Sequence, residues 1–200
     1  MRHCLRSSFV GDAMQFLTLL PTLLQEAKCV SLLLGDRLIP IYKRSFSQFI
    51  TDHKLVIYSR TQAIQGKINP AVFDFQSPLG SICQHRFTSS SDYSPLSKVI
   101  LHSKSRADEF RQKYLSNSNS SVSKLIGISW RGGAQGPRMK KKSVPLELFS
   151  QLFDVPGVRF VSLQYGQSKS VVEKWRKSGY DVVHDDEVDS LKDMDTWISQ

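Results

Sequence analysis

The apolar positions along this chain change period several times, and each change marks an element. From Asp12 to Ala27 they fall at helical spacing, through Met14, Phe16, Leu17, Leu20, Leu23 and Leu24. Pro21 sits inside that pattern, lacks an N–H and predicts a kink or a pause. Cys29-Val30-Ser31-Leu32-Leu33-Leu34 then runs apolar until Gly35-Asp36. A run that short and continuous predicts a buried strand of a parallel sheet. A second helix is expected over about 38–46 and another strand over 55–58. Residues 1–11 carry little signal, with Cys4-Leu5 and Phe9-Val10 as remnants of a first strand. The pattern weakens again between 60 and 95. There Phe73-Asp74-Phe75 alternates like a strand, and Pro78-Leu79-Gly80-Ser81 predicts a turn into a short helix ending near His85.

A polar helix is expected over about 105–115, followed by Ser116-Asn117-Ser118-Asn119-Ser120-Ser121, which has linker composition. Beyond it the rhythm is regular: strand 124–130, helix 145–153, strand 158–164, helix 169–177, strand 180–184, and a helix from about 190. Strands alternating with helices predict parallel sheets with right-handed crossovers. The expectation is an α/β protein with a first domain over 1–115, a linker over 116–123 and a second domain over 124–200. That second domain has three strands, fewer than a doubly wound sheet usually carries.

Charge changes this picture only in part. The formal net charge is +9, from 27 basic against 18 acidic side chains. An anionic partner fits that balance, and so does a merely solvated basic surface. No stacking-aromatic motif, zinc spacing or RNA-binding signature accompanies it, so nucleic acid is not the expected partner. Three cysteines, Cys4, Cys29 and Cys83, lie too far apart for a metal site and form no disulfide framework. That usage fits a reducing, cytoplasmic setting. No apolar run approaches the roughly 20 residues that span a bilayer, and no secretory leader is expected behind Met1-Arg2-His3.

The stretch with most chemistry is Leu125-Ile126-Gly127-Ile128-Ser129-Trp130-Arg131-Gly132-Gly133, an apolar strand running into a glycine-rich turn. A basic loop with Arg138, Lys140, Lys141 and Lys142 follows, reaching Ser143 and then a helix start at Pro145. Backbone N–H groups, a helix start and cations together make a phosphate-holding arrangement. Gly132, Gly133 and Gly136 would let the backbone approach closely. The spacing matches neither the dinucleotide fingerprint nor the P-loop, and a solvated basic loop is the plain alternative. Trp130 is a candidate for stacking on a base or sugar, or for the core. Gln164-Tyr165-Gly166 ends a predicted strand and would line the same cleft, or simply turn the chain. His85, after Gly80-Ser81, is either acceptor-facing or structural. Asp12 is a candidate general base or a plain helix N-cap, and ionisation favours the cap while weakening the base. His184-Asp185-Asp186-Glu187 lacks ligand spacing and reads as a loop, so no metal is expected.

Several of these residues carry a resemblance. Ser7-Ser8-Phe9-Val10-Gly11-Asp12-Ala13-Met14-Gln15-Phe16, with Leu20-Pro21 behind it, resembles the opening of the heptosyltransferase-like glycosyltransferases. Phe73 to Ser81, Ile126 to Trp130 with Lys142 to Leu146, and Pro156 to Gly166 are similar to glycosyltransferase-like domains fused to tetratricopeptide repeats. The resemblance spans about residues 7–198. It implies a GT-B fold: two Rossmann-like lobes across a cleft, the second one incomplete here. The implied reaction moves a sugar from a nucleotide-sugar donor to a glycan or protein acceptor, without a cofactor. The implied alternative is a truncated, inactive copy serving as a binding or scaffold module. By the same resemblance Asp12 is the catalytic residue, and Ser129 and Lys142 contact the donor diphosphate. Arg131, Gly132, Gly133 and Ser143 join that set, while Trp130, Gln164, Tyr165, Gly80 and His85 line the cleft. A first strand eroded before Gly11, and a nucleotide-holding Asp/His segment expected beyond Gln200, depart from the family's pattern. A tetratricopeptide module or that later segment is the implied protein partner.

Overall fold

The computed structural model describes residues 2–6, 10–86, 89, 99–116, 122–132, 141–166 and 168–200. Ser7 to Phe9, most of the 116–121 stretch, Gly133, Gly136, Arg138, Lys140 and the His85 side chain lie outside the described residues. The chain forms two compact units, Met1–Leu101 and His102–Gln200. Each is an α/β unit around a wholly parallel sheet, a layout compatible with a Rossmann-like arrangement.

Unit one holds four strands in the order β3-β2-β1-β4. They are β1 (Arg2–Arg6), β2 (Cys29–Leu34), β3 (Leu55–Ser59) and β4 (Phe75–Pro78). The first strand is therefore neither eroded nor missing. It lies at the centre, paired to β2 through Leu5↔Leu32 and to β4 through Leu5↔Ser77. Its pattern hid it because only Leu5 is buried; Arg2 and Arg6 are exposed. Backbone ladders on both sides hold it where side-chain burial does not.

One face of this sheet carries Leu5, Val30, Leu32, Leu34 and Leu55, all essentially inaccessible. Burying such side chains contributes roughly 1.5–3 kcal/mol each. Helices Val10–Phe16, Leu20–Glu26 and Ile39–Ser45 supply Ala13, Leu20, Leu23, Leu24, Ile41 and Tyr42 to the same buried set. Pro21 acts as predicted: the first helix gives way to a 3₁₀ turn at Leu17–Leu19, and a new helix starts with proline in its first turn. The buried Tyr42 hydroxyl donates to the Ala13 carbonyl at 2.7 Å, tying these helices together.

The strand expected at Phe73-Asp74-Phe75 is displaced to Phe75–Pro78. Asp74 is taken up by the start of β1, its carboxylate accepting from the Arg2 N–H at 2.6 Å and its own N–H donating to the Arg2 carbonyl.

Unit two holds β5 (Lys124–Ile128), β6 (Val158–Ser162) and β7 (Val182–Val183), in that order. Helix Lys169–Lys177 occupies its predicted span, while the one expected over 145–153 is a 3₁₀ turn, Leu146–Phe149, continued by Ser150–Phe153. The core is aromatic. Trp130, Phe149, Phe160 and Trp175 are buried with Ile128, Val172 and Val182, and Phe153 and Tyr180 pack against them.

Helix Lys104–Ser116 belongs to this second unit, so the division falls ahead of it, at Leu101–His102. Polar contacts fasten that helix. The Arg159 guanidinium donates to the Tyr114 carbonyl and, at 2.8 Å, to Asp181. The Tyr114 hydroxyl donates to Asp185 at 3.0 Å, and Lys113 pairs with Asp185 at 2.7 Å. Such side chain to side chain links leave no periodic trace in a polar helix. No helix among the described residues is long and apolar enough to cross a membrane.

Candidate functional site

In parallel sheets the strands all end on one side, and ligands bind at the loops that leave those ends. In unit two three loops leave there. The one after β5 carries Ser129, Trp130, Arg131 and Gly132, the one after β6 Gln164 to Ser168, and the one after β7 His184 to Asp189.

Gln164 organises the first two. Its side-chain oxygen accepts from the Ser129 hydroxyl (3.1 Å), the Trp130 N–H (3.1 Å) and the Arg131 N–H (2.8 Å). Its amide nitrogen donates to the carbonyls of Arg131 and Tyr165, both at 3.2 Å. The side chain is 4% exposed and its hydrogen-bonding capacity is fully used. Gln164 thus builds the loops, and it also lines the cavity beside them. Trp130 belongs to the core: its ring meets Trp175 edge-on at 4.8 Å and is 6% exposed, so it offers no stacking face.

The basic segment is closed at its base by two backbone bonds, Gly132 N–H to the Lys142 carbonyl (3.1 Å) and Val144 N–H to the Trp130 carbonyl (2.9 Å). Gly132 is required by this closeness, because a Cβ there would lie 2.7 Å from the Lys142 Cβ. The glycine therefore serves chain-to-chain approach. Ser129, Lys141 and Lys142 are exposed, while Arg131 and Ser143 are half-buried. Arg131 reaches back to the Tyr165 carbonyl at 3.5 Å, and Gly166 turns there at φ +77°. Ser129, Arg131, Gly132, Lys142 and Ser143 are thus brought to one place, and Tyr165 adjoins them.

Beside that loop lies a cavity of about 250 Å³ between the ends of β6 and β7. Its walls include Tyr165, Ser168, Lys169, His184, Asp186 and Asp189. Lys169 and Asp186 pair across it at 2.6 Å, and that bond holds Asp186 below and Lys169 above their usual ranges. The cavity residues after β7 were readable only as a polar loop, since strand ends come together through the sheet and not through spacing.

His184 Nδ1 and Ser162 Oγ are buried without a hydrogen-bond partner among the described residues. Burial pushes the His184 imidazole down, with Asp186 at 3.5 Å opposing that shift. Burial also opposes ionisation of Asp185, but hydrogen bonds from Lys113, the Glu187 N–H and the Tyr114 hydroxyl outweigh it and hold the carboxyl low. Both groups bind protons more readily when unfolded. Unit two is therefore expected to lose stability as pH falls below about 6.5, from His184, and again below about 4, from Asp185. Urea midpoints across pH 3–8 check this. In Asp185→Asn the acid step should shrink, and an undiminished step would place its origin elsewhere.

In unit one, Asp12 is exposed in the first turn of helix Val10–Phe16. The helix starts two residues ahead of it, so Asp12 is not the N-cap; it faces the positive end of the helix from within. Gly80 lies against the Phe16 ring, 2.9 Å from where a Cβ would stand, and so serves packing. Among the described residues no group of three or more His, Cys, Asp or Glu is placed to hold a metal ion.

Fold and site define an α/β protein of parallel-sheet units, one of which gathers cations, glycine and a cavity at its strand ends. The chain is similar to Protein FlbA of Caulobacter vibrioides, with 23% identity over 212 aligned positions. That match takes in 91% of this chain and 33% of FlbA, so the chain spans about a third of that relative's length. No family model matches the chain, and no solved structure matches it.

Proposed function

We propose that the chain is a glycosyltransferase-like protein of the GT-B type, moving a sugar from a nucleotide-sugar donor to a glycan or protein acceptor. Unit two holds the donor. The observation that supports this reading is the meeting, at the ends of β5, β6 and β7, of the loop closed by Gly132 and Lys142 with the cavity walled by Tyr165, Lys169 and Asp186. A departing nucleoside diphosphate needs fixed positive charge, and Arg131 and Lys142 supply it. Ser129 adds a hydroxyl beside them. The carboxylates of Asp186 and Asp189 suit ribose hydroxyls, which donate to anionic oxygens. Asp12, exposed in the first turn of helix Val10–Phe16, is the base for the acceptor hydroxyl.

A second reading, an inactive binding module, is favoured by one feature. Among the described residues β5 has no neighbour on its outer side, whereas β1 is flanked by β2 and β4. In that reading the three-stranded sheet serves to bind the donor only.

Thermal shift against a panel of nucleotide sugars and free nucleotides tests both. A ligand at 100 times its dissociation constant adds about 2.7 kcal/mol. Lys142→Ala should abolish the shift, and a shift unchanged in that variant would place the diphosphate elsewhere. Asp12→Asn should keep the shift and lose transfer by about a hundredfold or more. Nucleotide binding with no transfer by the unaltered chain would select the binding-module reading.

A further inference from the structure

We propose that unit one carries a binding site of its own, for a small oxyanion with an apolar body, between the β1–β4 floor and the crossover that joins β3 to β4. This inference is independent of the nucleotide reading of unit two.

The strand order β3-β2-β1-β4 reverses at β1: the chain winds outward through β2 and β3, then returns to the other side of β1. The ends of strands at such a reversal form the crevice in which open parallel sheets take ligands. A cavity of about 310 Å³ lies there. Its floor is one sheet face. Alternation and the register Cys4↔Gln76, Arg6↔Pro78 and Arg6↔Leu33 put Cys4, Arg6, Leu33 and Gln76 side by side. Its roof is the crossover, which presents Ile68 and Phe73.

The two sheet faces are covered differently, and that difference makes the cavity. The opposite face is sealed by helices of seven residues each. This one is roofed by a five-residue helix, Arg60–Ile64, and a 3₁₀ turn, Pro70–Val72. Local caps fix that roof in place of a filled core. Ser59 and Gln62 form a reciprocal capping box, and Asn69 accepts from the Ala71 N–H at 3.0 Å. A short, capped arch over a sheet leaves space beneath it.

The lining chooses the ligand. Arg6 has no carboxylate partner among the described residues, and no acidic side chain lines the cavity. Its guanidinium presents a fork of donors that matches a carboxylate or a phosphate monoester. Gln76 adds an amide on the same floor. Leu33, Ile68 and Phe73 offer only apolar contact, so the remainder of the ligand is an aromatic or branched hydrocarbon. A volume near 300 Å³ sits at the small end of ligand pockets.

Calorimetric titration of the full chain with phenyl phosphate, benzoate and benzyl alcohol tests this. At least one of the anions should bind about tenfold or more tightly than the alcohol, which lacks the charge that Arg6 reads. Arg6→Gln should erase that preference, Arg6→Lys should keep part of it, and Lys142→Ala should leave it unchanged. A measurement that needs no change at Arg6 uses Cys29→Ser/Cys83→Ser protein, in which Cys4 is the remaining thiol. The preferred anion should slow its reaction with uncharged dithiodipyridine. Equal binding of alcohol and anions, no binding of any of the three, or an unprotected Cys4 thiol would overturn the proposal. Loss of nucleotide binding in unit two would not touch it.

Discussion

Trp130→Ala is expected to destabilise unit two by about 3–5 kcal/mol, the cost of deleting a large buried aromatic side chain. The ring belongs to the buried aromatic cluster of this unit. It meets Trp175 at 4.8 Å and Phe149 at 6.4 Å, and Trp175 in turn meets Phe153 at 5.1 Å. Among the described residues its helical cover is a one-turn helix, a 3₁₀ turn and helix Lys169–Lys177, packed over Ile128, Phe160 and Val182 of the sheet. A stacking residue in an open cleft would behave oppositely, losing ligand affinity with stability intact. The measurement is clean because all three tryptophans, Trp130, Trp175 and Trp197, lie in unit two. Fluorescence during denaturant unfolding therefore reports that unit alone. In the variant, Trp175 and Trp197 still report. A midpoint equivalent to less than about 1 kcal/mol of change would remove Trp130 from the core.

Gln164→Leu should cost about 2–4 kcal/mol, although the replacement is apolar, buried and similar in length. Five hydrogen bonds disappear with the amide. The Trp130 and Arg131 N–H groups and the Arg131 and Tyr165 carbonyls are left without the partner that holds them, and buried polar groups of this kind are expensive to strand. Gln164→Glu tests the donor half separately, since a carboxylate accepts from the N–H groups but cannot donate to the carbonyls. Hydrogen exchange at the Trp130 and Arg131 amides reads the effect where it occurs. Faster exchange at those two amides in Gln164→Leu, beyond that of β6, is the expected result. Unchanged protection would mean that the loops after β5 and β6 hold themselves in place.

The comparison of Gln164 with Trp130 shows where sequence reasoning stops. Both stand next to predicted strand ends, and both were candidates for a cleft. Whether such a side chain turns inward depends on its neighbours in the sheet, thirty-odd residues away in sequence for this pair. Gly132 and Gly80 carry the same lesson. Each was legible as a position wanting no side chain, but what approaches it, Lys142 in one case and the Phe16 ring in the other, is a tertiary fact.

Local pattern by itself determined most elements. The continuous run Cys29–Leu34, the pause at Pro21 and the helix Lys169–Lys177 follow from burial period, a missing N–H and amphipathic spacing, all of which act within a few residues. Only the tertiary structure decided that Arg2–Arg6 is the centre of a sheet, that helix Lys104–Ser116 goes with the second unit, and that the residues after β5, β6 and β7 share one rim. A parallel sheet is the reason: its ladder pairs backbones, not side chains, so it seats a polar strand centrally and gathers distant loops while leaving no periodic mark in the residues it joins.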